Sequence, residues 1–185
     1  MSTTRTCRKL SMLLLLCGFI LMGCDELTIE SNSALPNKME ESEFFHPLKE
    51  NVENIAHEHM VYIPVYSNIL VSLGGRLNLA ITLSVRNTDF AYPLIVNKVS
   101  YYNTSGEIIE SFLDVPYVLE PMASTHFFVT QTDSRGGPGA NFIVKWSADK
   151  LANVPVIEAV MAGSNGTQGF SFINPGREIK NNNKQ

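Results

Sequence analysis

Between residues 76 and 86 the chain alternates, with Leu77, Leu79, Ile81, Leu83 and Val85 apolar and Asn78, Ala80, Thr82 and Ser84 between them. Successive side chains of a strand point to opposite faces, so this stretch predicts a strand with one face on a core. Gly74 and Gly75 before it, and Asn87, Thr88 and Asp89 after it, supply turn chemistry at both ends. Residues 93–102 and 107–113 are two further strands, and Asn103, Thr104, Ser105 and Gly106 between them predict a hairpin. Leu119, Glu120 and Pro121 then break the run. Residues 125–131 are rich in aromatic and β-branched side chains, and in 141–147 Phe142, Val144 and Trp146 alternate with Asn141, Ile143 and Lys145. Residues 156–161 and 169–173 flank Ser164, Asn165, Gly166 and Thr167, whose Asn-Gly pair is the strongest short hairpin signal in the chain. From Asn174 the tail is polar and is expected to fray.

Seven or eight short strands in about 115 residues, with turns between them, predict an antiparallel β-sandwich in preference to a barrel. Residues 61–174 are its expected bounds, with 175–185 as a polar tail. The order is an alternating strand ending in Arg86, Asn87 and Thr88, a hairpin, a Leu-x-Pro corner at Leu119, and a strand centred on Phe127, Phe128 and Val129. It resembles immunoglobulin-like accessory domains. With no cysteine pair in these strands, the resemblance is to the architecture and not to antibody domains.

The amino terminus follows a different pattern. Arg5, Arg8 and Lys9 precede an apolar run over residues 10–21, the layout of a secretory signal. Twelve residues are too few for a membrane-crossing helix, which takes about 20. Leu21, Met22, Gly23 and Cys24 then resemble a bacterial lipobox, in which an aliphatic residue and a small one precede the lipid-accepting cysteine. Met22 is the one departure from that pattern. The resemblance implies that residues 1–23 are removed and that Cys24 carries the lipid. It also implies that Asp25, beside Glu26, is a signal for retention in the inner membrane where a host has two.

Composition adds a boundary. The 185 residues are 44% hydrophobic and 17% charged, enough after the signal for one core. Residues 25–60 hold nine acids and only Lys38 and Lys49, a net of −7, whereas residues 61–185 are neutral. Residues 24–60 therefore read as an acidic tether, in which Pro47 could open a short helix with Leu48, Val52 and Ile55 on one face. Such a coil would span roughly 30 to 36 Å. Neither part carries the basic patch that nucleic acid requires. Cys7 and Cys17 lie in the signal, so the mature chain keeps only Cys24, which leaves no internal disulfide and no cysteine zinc site.

Several segments of the expected sandwich resemble one group of proteins. They are Tyr62, Ile63, Pro64, Val65, Tyr66 and Ser67; Leu83, Ser84, Val85, Arg86, Asn87, Thr88 and Asp89; Val99, Ser100, Tyr101 and Tyr102; and residues 133–142. From Val61 to about Arg177 the chain is similar to small bacterial lipoproteins that carry a domain of unknown function. That resemblance implies an envelope setting and brings no activity, substrate, cofactor or catalytic residue.

Candidate chemistry is thin. His57, Glu58 and His59 offer two imidazoles and a carboxylate, but at i and i+2, not at the i and i+4 of the helical zinc motif, and a third ligand such as His46 would have to fold in. Ser124 and His126 share a strand face without an evident acid partner, and no nucleophile elbow is present. Asn103 and Asn165 sit in glycosylation-type triplets that read better as turns. The loop of unusual composition is 133–141. There Asp133, Ser134, Arg135, Gly136, Gly137, Gly139 and Asn141 could present backbone N–H groups and a guanidinium to an anionic ligand, or could simply turn the chain.

The sequence thus predicts a membrane-anchored envelope lipoprotein, periplasmic in orientation, whose sandwich is a binding or accessory module and not an enzyme. Its expected partners are the membrane through its lipid and an envelope protein or small anionic ligand, with no cofactor and no metal. An enzyme built from His57, His126 and Asp133 is the competing expectation, and a ligand-free spacer the third.

Overall fold

A computed structural model describes residues 42–49, 58–71 and 74–180. The lipobox with Cys24, the pair Asp25 and Glu26, most of the acidic tether and His57 lie outside the described residues.

Thirteen strands occur among the described residues, every pair antiparallel. One sheet is built on β6 (Leu94–Tyr102) and β10 (Asn141–Ala148), with β2 (His59–Pro64) on the far side of β10 and β13 (Arg177–Ile179) outside β2. On the other side of β6, β8 (Tyr117–Leu119) pairs with its first residues and β7 (Ile108–Ser111) with its last, and β1 (Phe45–Pro47) lies outside β8. The second sheet runs β12 (Gln168–Pro175), β11 (Val156–Asn165), β5 (Ala80–Arg86), β9 (Ser124–Val129). A small separate ladder joins β3 (Asn68–Leu70) to β4 (Arg76–Asn78).

The inward rows of the two sheets make one core. Ile81, Leu83 and Val85 of β5, Phe127 and Val129 of β9 and Ile157, Ala159 and Met161 of β11 meet Ile63, Val99, Tyr101, Phe142 and Val144 from the other sheet. Burial of such side chains is the main favourable term in folding, at about 25 cal/mol per Å² of apolar surface. On β6 the inward set changes parity, from Leu94 and Val96 to Val99 and Tyr101. The change comes from a register shift opposite Lys145 and Trp146, where Asn97 is the extra residue.

The expected antiparallel sandwich is what forms. Its central pairs, β5 with β9 and β6 with β10, are those of an immunoglobulin fold. The edges are exchanged: β2 sits beside β10 where a last strand would lie, and the β11–β12 hairpin sits beside β5 where a first strand would lie.

Three stretches differ from the sequence expectation. The strand expected over 76–86 is broken at Leu79, whose N–H bonds to the Ser67 carbonyl at 2.9 Å as the chain passes from the β3–β4 ladder into the sandwich. Pro47 is the last residue of β1 and not a first helical position, and Phe45 is in the core, so residues 42–49 belong to the sandwich; Val52 and Ile55 of the expected helix lie outside the described residues. The tail does not fray at Asn174, because β12 runs on to Pro175 and β13 then pairs with β2. Between those strands the chain changes sheets at Gly176, where a Cβ would stand 2.5 Å from Val61 Cγ1 and 2.8 Å from the Ile157 carbonyl, space that only glycine fits.

Candidate functional site

Loops gather at the two ends of the sandwich, and the two ends are chemically unlike. At one end residues 130–140 join β9 to β10 beside the 103–107 turn of β6 and β7. Asp133 and Arg135 form a two-pronged pair there, Arg135 Nε to Asp133 Oδ1 at 2.9 Å and Nη2 to Oδ2 at 2.7 Å, with Glu110 Oε2 3.7 Å from Nη2. The hydrogen bond from Arg135 holds the Asp133 carboxyl below its usual range, and the same bond raises the guanidinium. Arg135 is exposed, but two acids already balance its charge.

The glycines here are joints in a seam. The Gly137 N–H donates to Ser67 Oγ at 2.7 Å and the Gly139 N–H to Thr104 Oγ1 at 3.0 Å, while the Gly136 carbonyl accepts from the Thr104 N–H at 2.9 Å. The Gly137 and Gly139 donors are thus engaged within the chain. Ser134 contributes its carbonyl to Gly137 N–H at 3.3 Å, and Asn141 opens β10 opposite Pro64 and Tyr102.

The opposite end is the more apolar, although Leu70 and Ile108 are exposed at the first. Asn87 and Asp89, both buried, follow β5 and tie three loops together. Asn87 Nδ2 donates to the carbonyls of Tyr92, Leu119 and Glu120, at 2.9, 3.2 and 3.2 Å. Asp89 Oδ1 accepts from the N–H groups of Ala91 and Tyr92 at 2.8 and 2.9 Å, and Oδ2 from that of Asn153 at 2.8 Å. These backbone donors, Ala91 first, hold the Asp89 carboxyl below its ordinary range. The Asp89 carbonyl in turn accepts from the Met122 N–H at 2.9 Å.

On this frame stand side chains that a soluble surface would ordinarily hide. Phe90 is 82% exposed, Leu151 76%, Val154 71% and Met122 55%. Met122 has φ 59°, the left-handed region that costs a residue with a Cβ about 1 to 2 kcal/mol. It follows Pro121 in a tight turn closed by Ala123 N–H to the Glu120 carbonyl at 3.0 Å. Phe44, also exposed, belongs to the same end, since its carbonyl accepts from the Glu120 N–H at 3.0 Å. In sequence, residues 87–89 read as a turn and these loops carry no motif. The available signal was the placing of Phe90, Leu151 and Val154 in turn-rich stretches where no alternation gives them a buried face.

The remaining candidates have separate neighbours. His126 is exposed on β9 opposite Ser84, and Ser124 lies opposite Arg86. Glu58 Oε1 accepts from Lys145 Nζ at 2.9 Å. His59 stacks on Trp146 at 4.3 Å between ring centroids, and its Nδ1 is 2.7 Å from Glu178 Oε1. His46 Nε2 lies 3.1 Å from Glu120 Oε1. Among the described residues no group of three or more His, Cys, Asp or Glu side chains is placed to hold a metal ion.

Residues 58–179 match the sequence model of a family described as protein of unknown function (DUF3124). The chain belongs to that family. The DUF3124 match takes in β2 to β13, hence both loop ends, and leaves β1 outside it. No curated protein matches the chain. Among solved structures the chain is similar to the crystal structure of Thermotoga maritima 1070, at 12% identity and a TM-score of 0.38, over 64% of this chain and 92% of that one.

Proposed function

We propose that this DUF3124 chain is a lipid-anchored protein of the cell envelope whose sandwich is a binding or accessory module, with its contact surface at the end bearing Phe90, Met122, Leu151 and Val154. The observation that carries the binding reading is the combination at that end of strong exposure with a fixed frame. Loops held by the strands beneath them are where recognition concentrates, and exposed apolar side chains in numbers mark contact surfaces. The 133–141 loop serves this reading less well, because the Gly137 and Gly139 N–H groups and the Arg135 guanidinium already have partners within the chain.

Support for the anchor comes from Leu21, Gly23 and Cys24 after an apolar run, and for inner-membrane retention from Asp25 beside Glu26. A single acyl chain binds membranes only marginally, so lasting attachment takes a second signal. Fractionation tests both parts. Cys24→Ser should release the chain or leave its signal uncut, and Asp25→Ser should move it to the outer membrane of a two-membrane host. Unchanged membrane association and unchanged gel mobility for Cys24→Ser would remove the anchor.

A further inference from the structure

We infer that the apolar end docks on the lipid bilayer itself, with Phe90, Met122, Leu151 and Val154 entering the headgroup region and the sandwich standing on it. The inference rests on the anchored reading for its setting, and on the following geometry for its surface.

The chain joins the sandwich at this end. Ser42 and Phe45 exchange backbone hydrogen bonds across a tight turn, Phe45 pairs with Leu119, and the turn carries exposed Phe44 against Glu120. Seventeen residues separate Cys24 from Ser42. Fully extended they reach about 60 Å, so a lipid on Cys24 keeps the place where the chain joins within that distance of the bilayer. The end nearest that junction is the apolar one, while the polar seam of Arg135, Thr104 and Ser67 lies at the other.

Most of the charged groups beside the apolar side chains are engaged within the protein, while Glu43, next to Phe44, is exposed. Asp89 gives both carboxylate oxygens to backbone N–H groups, and Asp149 Oδ1 accepts from the Leu151 N–H at 2.8 Å. Glu120 is engaged by His46. Lys150, next to Leu151, is exposed, and a lysine so placed can lay its stem along apolar surface and keep its ammonium among phosphates. The side chains come from three loops locked to one another, so little further ordering is needed on docking.

The test uses the full chain in vesicles of phosphatidylethanolamine and phosphatidylglycerol that carry quenchers in their acyl chains. Leu151→Trp reports on the apolar end, and Thr167→Trp, in the β11–β12 turn at the far end, is the control; matching thermal unfolding confirms that both fold. Insertion to the depth of about 5 to 10 Å usual for interfacial segments should shift the Leu151→Trp emission to the blue and quench roughly half of the added fluorescence. Thr167→Trp should show neither effect. Equal, unquenched signals from the two positions would overturn the docking and leave this end to a protein partner. The mass of the amino-terminal peptide from the same preparation reports the anchor separately. Cys24 without lipid together with a quenched Leu151→Trp would remove the anchor and keep the docking, and the reverse would remove the docking alone.

Discussion

Gly136 lies under the Tyr101 hydroxyl so closely that a Cβ there would overlap it and would stand 2.7 Å from Cζ. Tyr101 is fully buried, its hydroxyl makes no hydrogen bond of good geometry, and burial pushes its pKa up to about 12. Neighbouring Ser67 and Arg135 pull that value back only in part. An unpaired buried hydroxyl costs about 1 to 3 kcal/mol. Tyr101→Phe is therefore expected to leave stability unchanged or raise it by up to about 1 kcal/mol. Gly136→Ala alone should destabilise by about 1 to 3 kcal/mol through overpacking, and part of that loss should return in the double variant. Chemical denaturation of the four proteins of this cycle measures it, and strict additivity would show that the two residues do not press on each other.

Asp89 and Asn87 hold the apolar end by hydrogen bonds to main chain from three loops, and each has its own signature. Asn87→Ala strips partners from the carbonyls of Tyr92, Leu119 and Glu120 and should cost about 2 kcal/mol. Asp89→Asn keeps the shape but turns an amide toward N–H donors, so the loops should loosen. The Asp89 pKa is lower in the folded chain than in the unfolded one, hence its contribution is present above the ordinary carboxyl value near 4 and is lost as pH falls through the folded value. Thermal unfolding against pH should show a flatter acid limb in Asp89→Asn than in the wild type. Parallel acid limbs would mean that another carboxyl governs that range.

What the sequence disclosed follows from which interactions are local. The strands with clean alternation, such as β5 and β10, and the hairpins marked by turn residues, such as β6 with β7, could be read directly. The β11–β12 turn shows how a signal can be right for a neighbouring reason: Asn165 pairs with Gln168, so Gly166 at φ 63° and Thr167 are the central residues, and a glycine in first place makes the turn. β1, β8 and β13 have three residues each and owe their existence to distant partners, so Pro47 or Glu178 gave no local hint of a strand. The site was hidden for the same reason. Nothing near Asp89 in sequence announces that it reaches Asn153 and supports Phe90 and Leu151 together. The 133–141 loop was visible by composition, but the inward use of its N–H groups depends on Ser67 and Thr104, far off in the chain.

Arg135 and Asp133 make a test of a surface pair. Asp133 is held low chiefly by the Arg135 hydrogen bond, so its contribution too is present above the ordinary carboxyl range and fades as pH falls through the folded value. Arg135 is 59% exposed, and pairs of that kind are worth at most about 1 kcal/mol. Arg135→Ala should therefore lower stability by less than about 1 kcal/mol while the Asp133 carboxyl, followed by NMR titration, moves up toward ordinary values. An Asp133 titration that ignores the substitution would show that the pair is not formed in solution.

The amino-terminal limit of the folded unit gives the sharpest stability prediction. Composition placed the start of the sandwich at Val61, yet Phe45 is buried, 4.9 Å from the Tyr117 ring and 6.3 Å from Phe127, measured between centroids. β1 also covers β8, whose Leu119 is fully buried, and the Leu48 N–H bonds to the Pro116 carbonyl at 2.9 Å. Removing one large aromatic side chain from a core costs about 3 to 5 kcal/mol, so Phe45→Ala should show a loss of that size in denaturant unfolding. A chain beginning at Val61 loses β1, the first two residues of β2 and the Trp146 stacking partner His59 together, and should be recovered unfolded or aggregated. One beginning at Ser42 should unfold cooperatively. If the shorter chain proves as stable as the longer, β1 is an ornament on the edge of the sheet, and the apolar end of the sandwich closes without it.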